Sequence, residues 1–268
     1  MASQNVAFTG SVPENYDQYL GPHLFEPYAK DIVSRLGAID NGAVLEIACG
    51  TGIVTKQLRD RLPATTRLVA TDSNQAMIDF ARGKLGPEPA IEWKPADAME
   101  LPFLDETFDA VVCQFGIMFV PDKQQAFAEA RRALKPGGRF LFNTWDSMEH
   151  NMSARITHTT IASFFKEDPP NFYETPFGFH DGDAITSMLQ QAGFADVKVE
   201  VVKLPAESPS AAELSNGLVK GTPVIGVINE RRPSELENIR KAVADAVAKE
   251  MGDPVRGTMQ ALVIEATK

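Results

Sequence analysis

The sequence predicts an α/β fold, a mostly parallel sheet with helices on both faces. Three observations carry this. Strand-like and helix-like segments alternate through the first half of the chain, the pattern of stacked β-α-β units. FDAVVCQ, residues 108–114, is apolar toward both faces, as a central strand covered by helices must be. AVLEIA, residues 43–48, runs straight into CGTG and then a helical pattern, which makes a strand-turn-helix junction.

The elements follow in order. Residues 14–36 are helix-rich, with Tyr16, Tyr19 and Phe25 among them. Residues 43–48 form the first strand and 53–61 the helix after its turn. A second strand, 67–71, precedes a helix over 74–84 with Met77, Ile78 and Ala81 on one face. GPEP, residues 86–89, bounds a third strand over 90–94, and 108–114 is the fourth. A helix over 122–134 ends at Lys135-Pro136-Gly137-Gly138, before a fifth strand over 139–144. Residues 151–165 read as helix and 167–179 as loop. Residues 181–191 form a helix ended by Gly193, and 196–203 alternate as a strand. Residues 211–229 are ambiguous, being broken by Gly217, Gly221, Pro223 and Gly226. Residues 233–250 are a helix that Ser234 can cap, and 258–267 a closing strand. No linker marks a second independent domain, so the expectation is one domain over 1–268.

Composition narrows the function. With 44% hydrophobic and 23% charged residues over 268 positions, the chain is an ordinary globular one, neither disordered nor fibrous. Its net charge of −10 repels a phosphate backbone, which argues against a nucleic-acid partner. Two cysteines make no disulfide framework, so Cys49 and Cys113 read as buried free thiols of a reducing compartment. No run approaches the ~18 apolar residues of a membrane span. The first twenty residues lack the basic start and apolar core of a signal peptide. The expectation is a cytoplasmic protein with no membrane insertion. Its oligomeric state is not legible.

The strongest chemical signal is VLEIACGTG, residues 44–52. Glycines at a strand-to-helix turn let a ligand approach the backbone, and the helix start offers free N–H groups. Such a crevice lies beyond the strand ends, where parallel sheets bind ligands. Asp72 closes the second strand twenty residues after Gly52. There it either accepts both hydroxyls of a ribose or, with Ser73, caps the next helix. A dinucleotide site requires a third glycine, which Gly50-Thr51-Gly52-Ile53-Val54-Thr55 lacks. Glu46 inside the strand would repel a pyrophosphate but suits a cationic ligand.

In these segments the chain resembles the class I S-adenosylmethionine-dependent methyltransferases, in the small-molecule branch of ubiquinone and menaquinone biosynthesis. Residues 44–52 match the family's first motif. Asp72 with Met77, then PADAMELPF (95–103), FDAVVCQFGIMFVPD (108–122) and ALKPGGRFLF (133–142) follow in register. The resemblance implies a Rossmann-like seven-stranded sheet in the order 3-2-1-4-5-7-6, with the last strand antiparallel. It implies S-adenosylmethionine as cofactor, S-adenosylhomocysteine as product, and in-line methyl transfer to a small acceptor. Ala48, Cys49, Gly50 and Gly52 would line the methionine part, with Glu46 toward its ammonium. Asp72, with Ser73, would bind the ribose. Met77 would cover the adenine, although at helical spacing it is also plain core. Asp97 and Ala98 would reach the adenine edge, although Asp97 is also a turn residue. Gln114 and Phe115 would sit under the sulfonium. Ala48 departs from the commoner glycine. A protein that holds the cofactor without turnover is one alternative, and a nucleotide-linked oxidoreductase another.

The same resemblance makes residues 1–36 a helical lid, in which Tyr16 touches the cofactor. Tyr16 and Tyr19, three apart, would share a helical face, either over the cofactor or packed as core. Residues 151–180 and 206–230 would cap the acceptor. Their aromatic and apolar content, with Tyr16, Tyr19 and Phe25, points to an apolar or aromatic acceptor. DPPNF, residues 168–172, reads as a loop of this cap. Should the acceptor need deprotonation, His150, His180 and Tyr19 are the catalytic candidates. His23 has no stronger claim, and His158 reads as a surface residue. No His/Cys pair has metal-ligand spacing.

Overall fold

The computed structural model describes residues 10–87 and 90–268. The first nine residues of the expected lid, and Glu88 and Pro89 of GPEP, lie outside the described residues. In chain order the elements are α1 (Val12–Asn15), a π-helix (Tyr16–Phe25), α2 (Glu26–Ser34), β1 (Ala43–Glu46), α3 (Ile53–Arg61), β2 (Arg67–Asp72), α4 (Gln75–Leu85), β3 (Glu92–Pro95), β4 (Phe108–Gln114), α5 (Lys123–Ala133), β5 (Leu134–Trp145), α6 (Met152–Ser163), α7 (Gly182–Gln191), β6 (Ala195–Ser208), α8 (Ala211–Lys220), α9 (Val224–Arg231), α10 (Leu236–Met251) and β7 (Val255–Thr267).

One seven-stranded sheet has the order β3-β2-β1-β4-β5-β7-β6. The ladders from β3 to β5 are parallel, and β7 is antiparallel to β5. This is the expected topology. Asp122 starts α5 by accepting from Gln125 N–H, and Asp181 starts α7 by accepting from Asp183 and Ala184. The ambiguous stretch 211–229 resolves into α8 and α9, with Gly221 closing the first.

Three local expectations are corrected. KPGG does not separate helix from strand. β5 begins at once at Leu134, and its pairing jumps from Phe108–Leu134 to Ala110–Arg139, so these residues bulge from the ladder. Ser234 does not cap the helix after it. Pro233–Glu235 form a 3-10 turn, and the N-cap position of α10 falls on Glu235, without a side-chain bond. Residues 16–25 are helical but π-wound, with Glu26 N–H donating to Gly21 O in an i→i+5 bond. The wider turn removes the shared face expected for Tyr16 and Tyr19.

The chain divides into two compact units. The first comprises Met1–Pro27, Asp146–Gly178 and Lys203–Gln260, and the second Tyr28–Trp145, Phe179–Val202 and Ala261–Lys268. In the first, α6, α8, α10 and the π-helix pack together. The apolar positions Ile239, Val243 and Val247, four apart along α10, are all buried, as one face of a helix. Tyr173 donates from its hydroxyl to Leu218 O at 2.6 Å. In the second, Val111, Phe140, Phe142 and Ile264 of the sheet pack with Ala126, Phe127 and Ala130 of α5 and Ile185 and Leu189 of α7. Each such side chain taken fully from water contributes about 1.5–3 kcal/mol before entropy.

Candidate active site

In the second unit, β1 lies between β2 and β4 and ends at Glu46. The ladder continues two steps further, Ile47 N–H to Val112 O and Cys49 N–H to Thr71 O, both 2.9 Å. Between and after these bonds the backbone turns left-handed at Ala48 (φ +55°), Gly50 (φ +53°) and Gly52 (φ +79°). Ala48 meets the turn after β4, where a Cβ on Gly116 would lie 2.5 Å from its own. A Cβ on Gly52 would lie 3.1 Å from that of Ala81, so this glycine lets α3 approach α4. At Gly50 a Cβ would meet no atom within 4 Å. The backbone there faces open space, which a ligand can enter.

Two carboxyl groups flank this turn. Glu46 is buried and accepts from Thr55 Oγ1 at 2.6 Å. Burial foremost, with the nearby Asp72, pushes its pKa up to about 8. Asp72 accepts from Gly50 N–H at 2.9 Å with one oxygen and from Asn74 N–H at 2.8 Å with the other. Burial raises its pKa, against these bonds. It therefore ties the glycine turn to the turn after β2. The cap of α4 is neither Asp72 nor Ser73 but Asn74, whose side chain accepts from Ala76 N–H. Ser73 is exposed. Cys49 and Cys113 are buried free thiols, and burial raises the pKa of each. Two acidic groups beside an open backbone fit a cationic ligand, whose charge would favour the ionised form of Glu46, and oppose an anionic one.

Met77 lies on the inner face of α4 with Ile78 and Ala81, all buried. Ala98 is buried and Asp97 exposed, with one Asp97 oxygen held by Met99 N–H at 2.8 Å. Gln114, half-buried, ends β4. Phe115 follows with a left-handed backbone, φ +51°. Its ring stacks on Trp145 at 3.8 Å and 13°, and Tyr28 meets both rings edge-on, at 5.4 and 5.2 Å. Its N–H donates to the carbonyl of Asn143 (3.2 Å) and to the side-chain Oδ1 of Asn143 (2.9 Å). Sequence reasoning missed Tyr28, Asn143 and Trp145. One signal was available, because strand alternation puts Asn143 and Trp145 on the same face.

The remaining candidates divide between the units. Tyr16, Tyr19 and His150 belong to the first and His180 to the second. Tyr16 stacks on Phe25 at 4.5 Å, and Tyr19 lies with Leu20 against Gly217 of α8. His150 is exposed, with Nδ1 3.3 Å from Asp146 Oδ2. Asp146 is held below the usual carboxylate range, burial opposing and a bond from Gln260 favouring the charge. His180 is exposed, just before the cap of α7. His158 is not a surface residue but half-buried, since α6 packs against α8 and α10. Among the described residues no group of three or more His, Cys, Asp or Glu is placed to hold a metal ion.

Comparison with known proteins decides the family. A family model described as a methyltransferase domain matches residues 45–142. The demethylmenaquinone methyltransferase of Lactiplantibacillus plantarum is 29% identical over 70% of this chain and 86% of its own length. The ubiquinone/menaquinone biosynthesis C-methyltransferase UbiE of Bartonella tribocorum is 35% identical, over 70% of this chain and 79% of its own. The chain belongs to the class I S-adenosylmethionine-dependent methyltransferases. It falls in their UbiE-like branch. The fold agrees: the YcgJ protein of Bacillus subtilis superposes with a TM-score of 0.61 at 16% identity, covering 90% of this chain and 97% of its own. The methyltransferase uses S-adenosylmethionine and transfers its methyl group to a small-molecule acceptor. Neither alternative, cofactor binding without turnover or nucleotide-linked oxidoreduction, is favoured.

Proposed function

We propose that S-adenosylmethionine binds against the glycine turn, between Glu46 and Asp72, and that the acceptor is an apolar or aromatic small molecule. The observation that carries this is the open backbone at Gly50 flanked by two buried carboxyl groups. Ala48, Cys49, Gly50 and Gly52 would line the methionine part with backbone, and Glu46 would face its ammonium. Asp72, with Ser73, would bind the ribose. Met77 would cover the adenine, with Asp97 and Ala98 at its edge. Gln114 and Phe115 would sit under the sulfonium. When bound, the cofactor supplies a methyl group already activated by the sulfonium charge. The residues then have to align the acceptor with it and exclude water.

The quinone-pathway names of the relatives support an aromatic acceptor. The net charge of −10 supports a partner other than nucleic acid. No helix among the described residues is long and apolar enough to cross a membrane, and the protein is proposed to work in the cytoplasm. The lid role of residues 1–36, with Tyr16 on the cofactor, and the cap roles of 151–180 and 206–230 are part of the same proposal. Slower amide exchange in residues 12–25 on adding S-adenosylhomocysteine is its expected mark.

The test of acceptor class is transfer of labelled methyl from S-adenosylmethionine to 1,4-naphthohydroquinone, catechol and ethanolamine. Label on either aromatic probe is expected. Label on ethanolamine alone would sink the aromatic reading.

A further inference from the structure

Asn143 is fully buried next to the end of β5, in register with Gln114 of β4 and Val263 of β7. Its carboxamide orientation follows from chemistry. The backbone N–H of Phe115 can only donate, so Oδ1 must face it and the amide nitrogen must face away. That nitrogen is buried and has no hydrogen-bond partner among the described residues. A buried donor left unpaired costs stability and calls for an explanation.

Satisfying the Phe115 N–H is not a sufficient one. The carbonyl of Asn143 already accepts it as a continuation of the ladder, and a leucine at this position would keep that bond and leave no orphan donor. What the carboxamide adds is a second acceptor aimed at a residue in a left-handed backbone, which bulky side chains rarely adopt and which concentrates at functional sites. Held there, Phe115 lies on Trp145, and the next residue, Gly116, abuts Ala48 of the glycine turn. One side chain therefore bears on the residue that carries the aromatic pair and leads into the β4 turn.

We propose that Asn143 is a positioning residue of the methyl-transfer centre, acting through the backbone of Phe115. The proposal rests on the placement of Phe115 at that centre given above.

The test uses the full chain and Asn143→Leu, with Trp93→Phe in both so that Trp145 is the lone tryptophan. Expected for the leucine variant is loss of at least half the near-ultraviolet dichroism of Trp145. Its Phe115 amide, left with the longer ladder bond alone, should exchange at least tenfold faster. The kcat on 1,4-naphthohydroquinone should fall at least tenfold, while the Kd for S-adenosylhomocysteine moves less than threefold. Asn143→Asp keeps an oxygen toward Phe115 and should recover the dichroism and most of kcat. An unchanged band and unchanged exchange overturn the proposal, as does a changed band with kcat intact. Should the leucine variant fail to fold, fast exchange of the Phe115 amide in the unaltered protein overturns it equally. If the unaltered protein labels catechol and not 1,4-naphthohydroquinone, kcat is read on catechol; if it labels ethanolamine alone, the aromatic-acceptor reading falls instead. The band and the exchange rate then decide on Asn143 alone.

Discussion

Glu46 is largely protonated in the ligand-free protein near neutral pH, because burial beside Asp72 carries its pKa from about 4.5 to about 8. The folded state therefore binds a proton that the unfolded chain has lost at any pH between those values. Stability from this group declines as pH rises from about 4.5 through about 8. Each pKa unit corresponds to about 1.4 kcal/mol. Melting curves of Glu46→Gln between pH 5 and 8.5 should lack that decline, and a slope equal to the unaltered protein's would clear Glu46 of it. Asp72 does two jobs, and its substitution should show both. Asp72→Ala strips acceptors from Gly50 N–H and Asn74 N–H, a cost of about 1–3 kcal/mol in urea unfolding. It should also weaken S-adenosylhomocysteine binding about tenfold or more, and full calorimetric affinity in a folded variant would remove Asp72 from the site. The motif made Glu46 and Asp72 legible as acidic residues at strand ends. It did not show that Asp72 holds Gly50, a contact made across 22 residues, nor that Asn143 reaches Phe115 across 28.

The π-helix is the element that periodicity could not read. At about 3.6 residues per turn, nine residues put Tyr16 and Phe25 on opposite faces. The longer i→i+5 turn brings them together, and the stack contributes about 0.5–1.5 kcal/mol beyond burial. A reading tuned to the α period finds the helix but misplaces its faces. The regular helices were legible from their periodicity, as with Met77, Ile78 and Ala81 on one buried face of α4. The β5 bulge was not, since Lys-Pro-Gly-Gly reads as a stop and here is accommodated inside a strand. The π-helix is held in the first unit by close backbone approach. A Cβ on Gly221 would lie 2.8 Å from Tyr16 N, 3.0 Å from the Asn15 carbonyl carbon and 2.6 Å from Gly217 O. All are backbone atoms, so none can swing aside. Gly221→Ala should cost about 1–3 kcal/mol and speed amide exchange across residues 12–25. A variant as stable and as protected as the parent would show that this contact does not hold the segment.

The order of the seven strands follows from one late element, the antiparallel β7 beside β5. Family resemblance supplied this order, and no local pattern could, because strand pairing between Arg139 and Thr267 leaves no trace at either position alone. The last residues are bound on both sides of the bulge: Lys268 N–H donates to Gly138 O, and its Nζ reaches Leu134 O at 2.6 Å. Removing residues 261–268 should abolish cooperative unfolding, and a cooperative melt in the truncated chain would refute a structural need for β7. That arrangement also governs how the protein emerges from a ribosome. More than a hundred residues of other structure are synthesised between β5 and its partner, on the order of 10 s of translation. Throughout that interval β5 is a nascent sheet edge, rich in phenylalanine and open to the wrong strand. Until β7 itself has been made and has cleared the exit tunnel, that edge of β5 has no strand to close it.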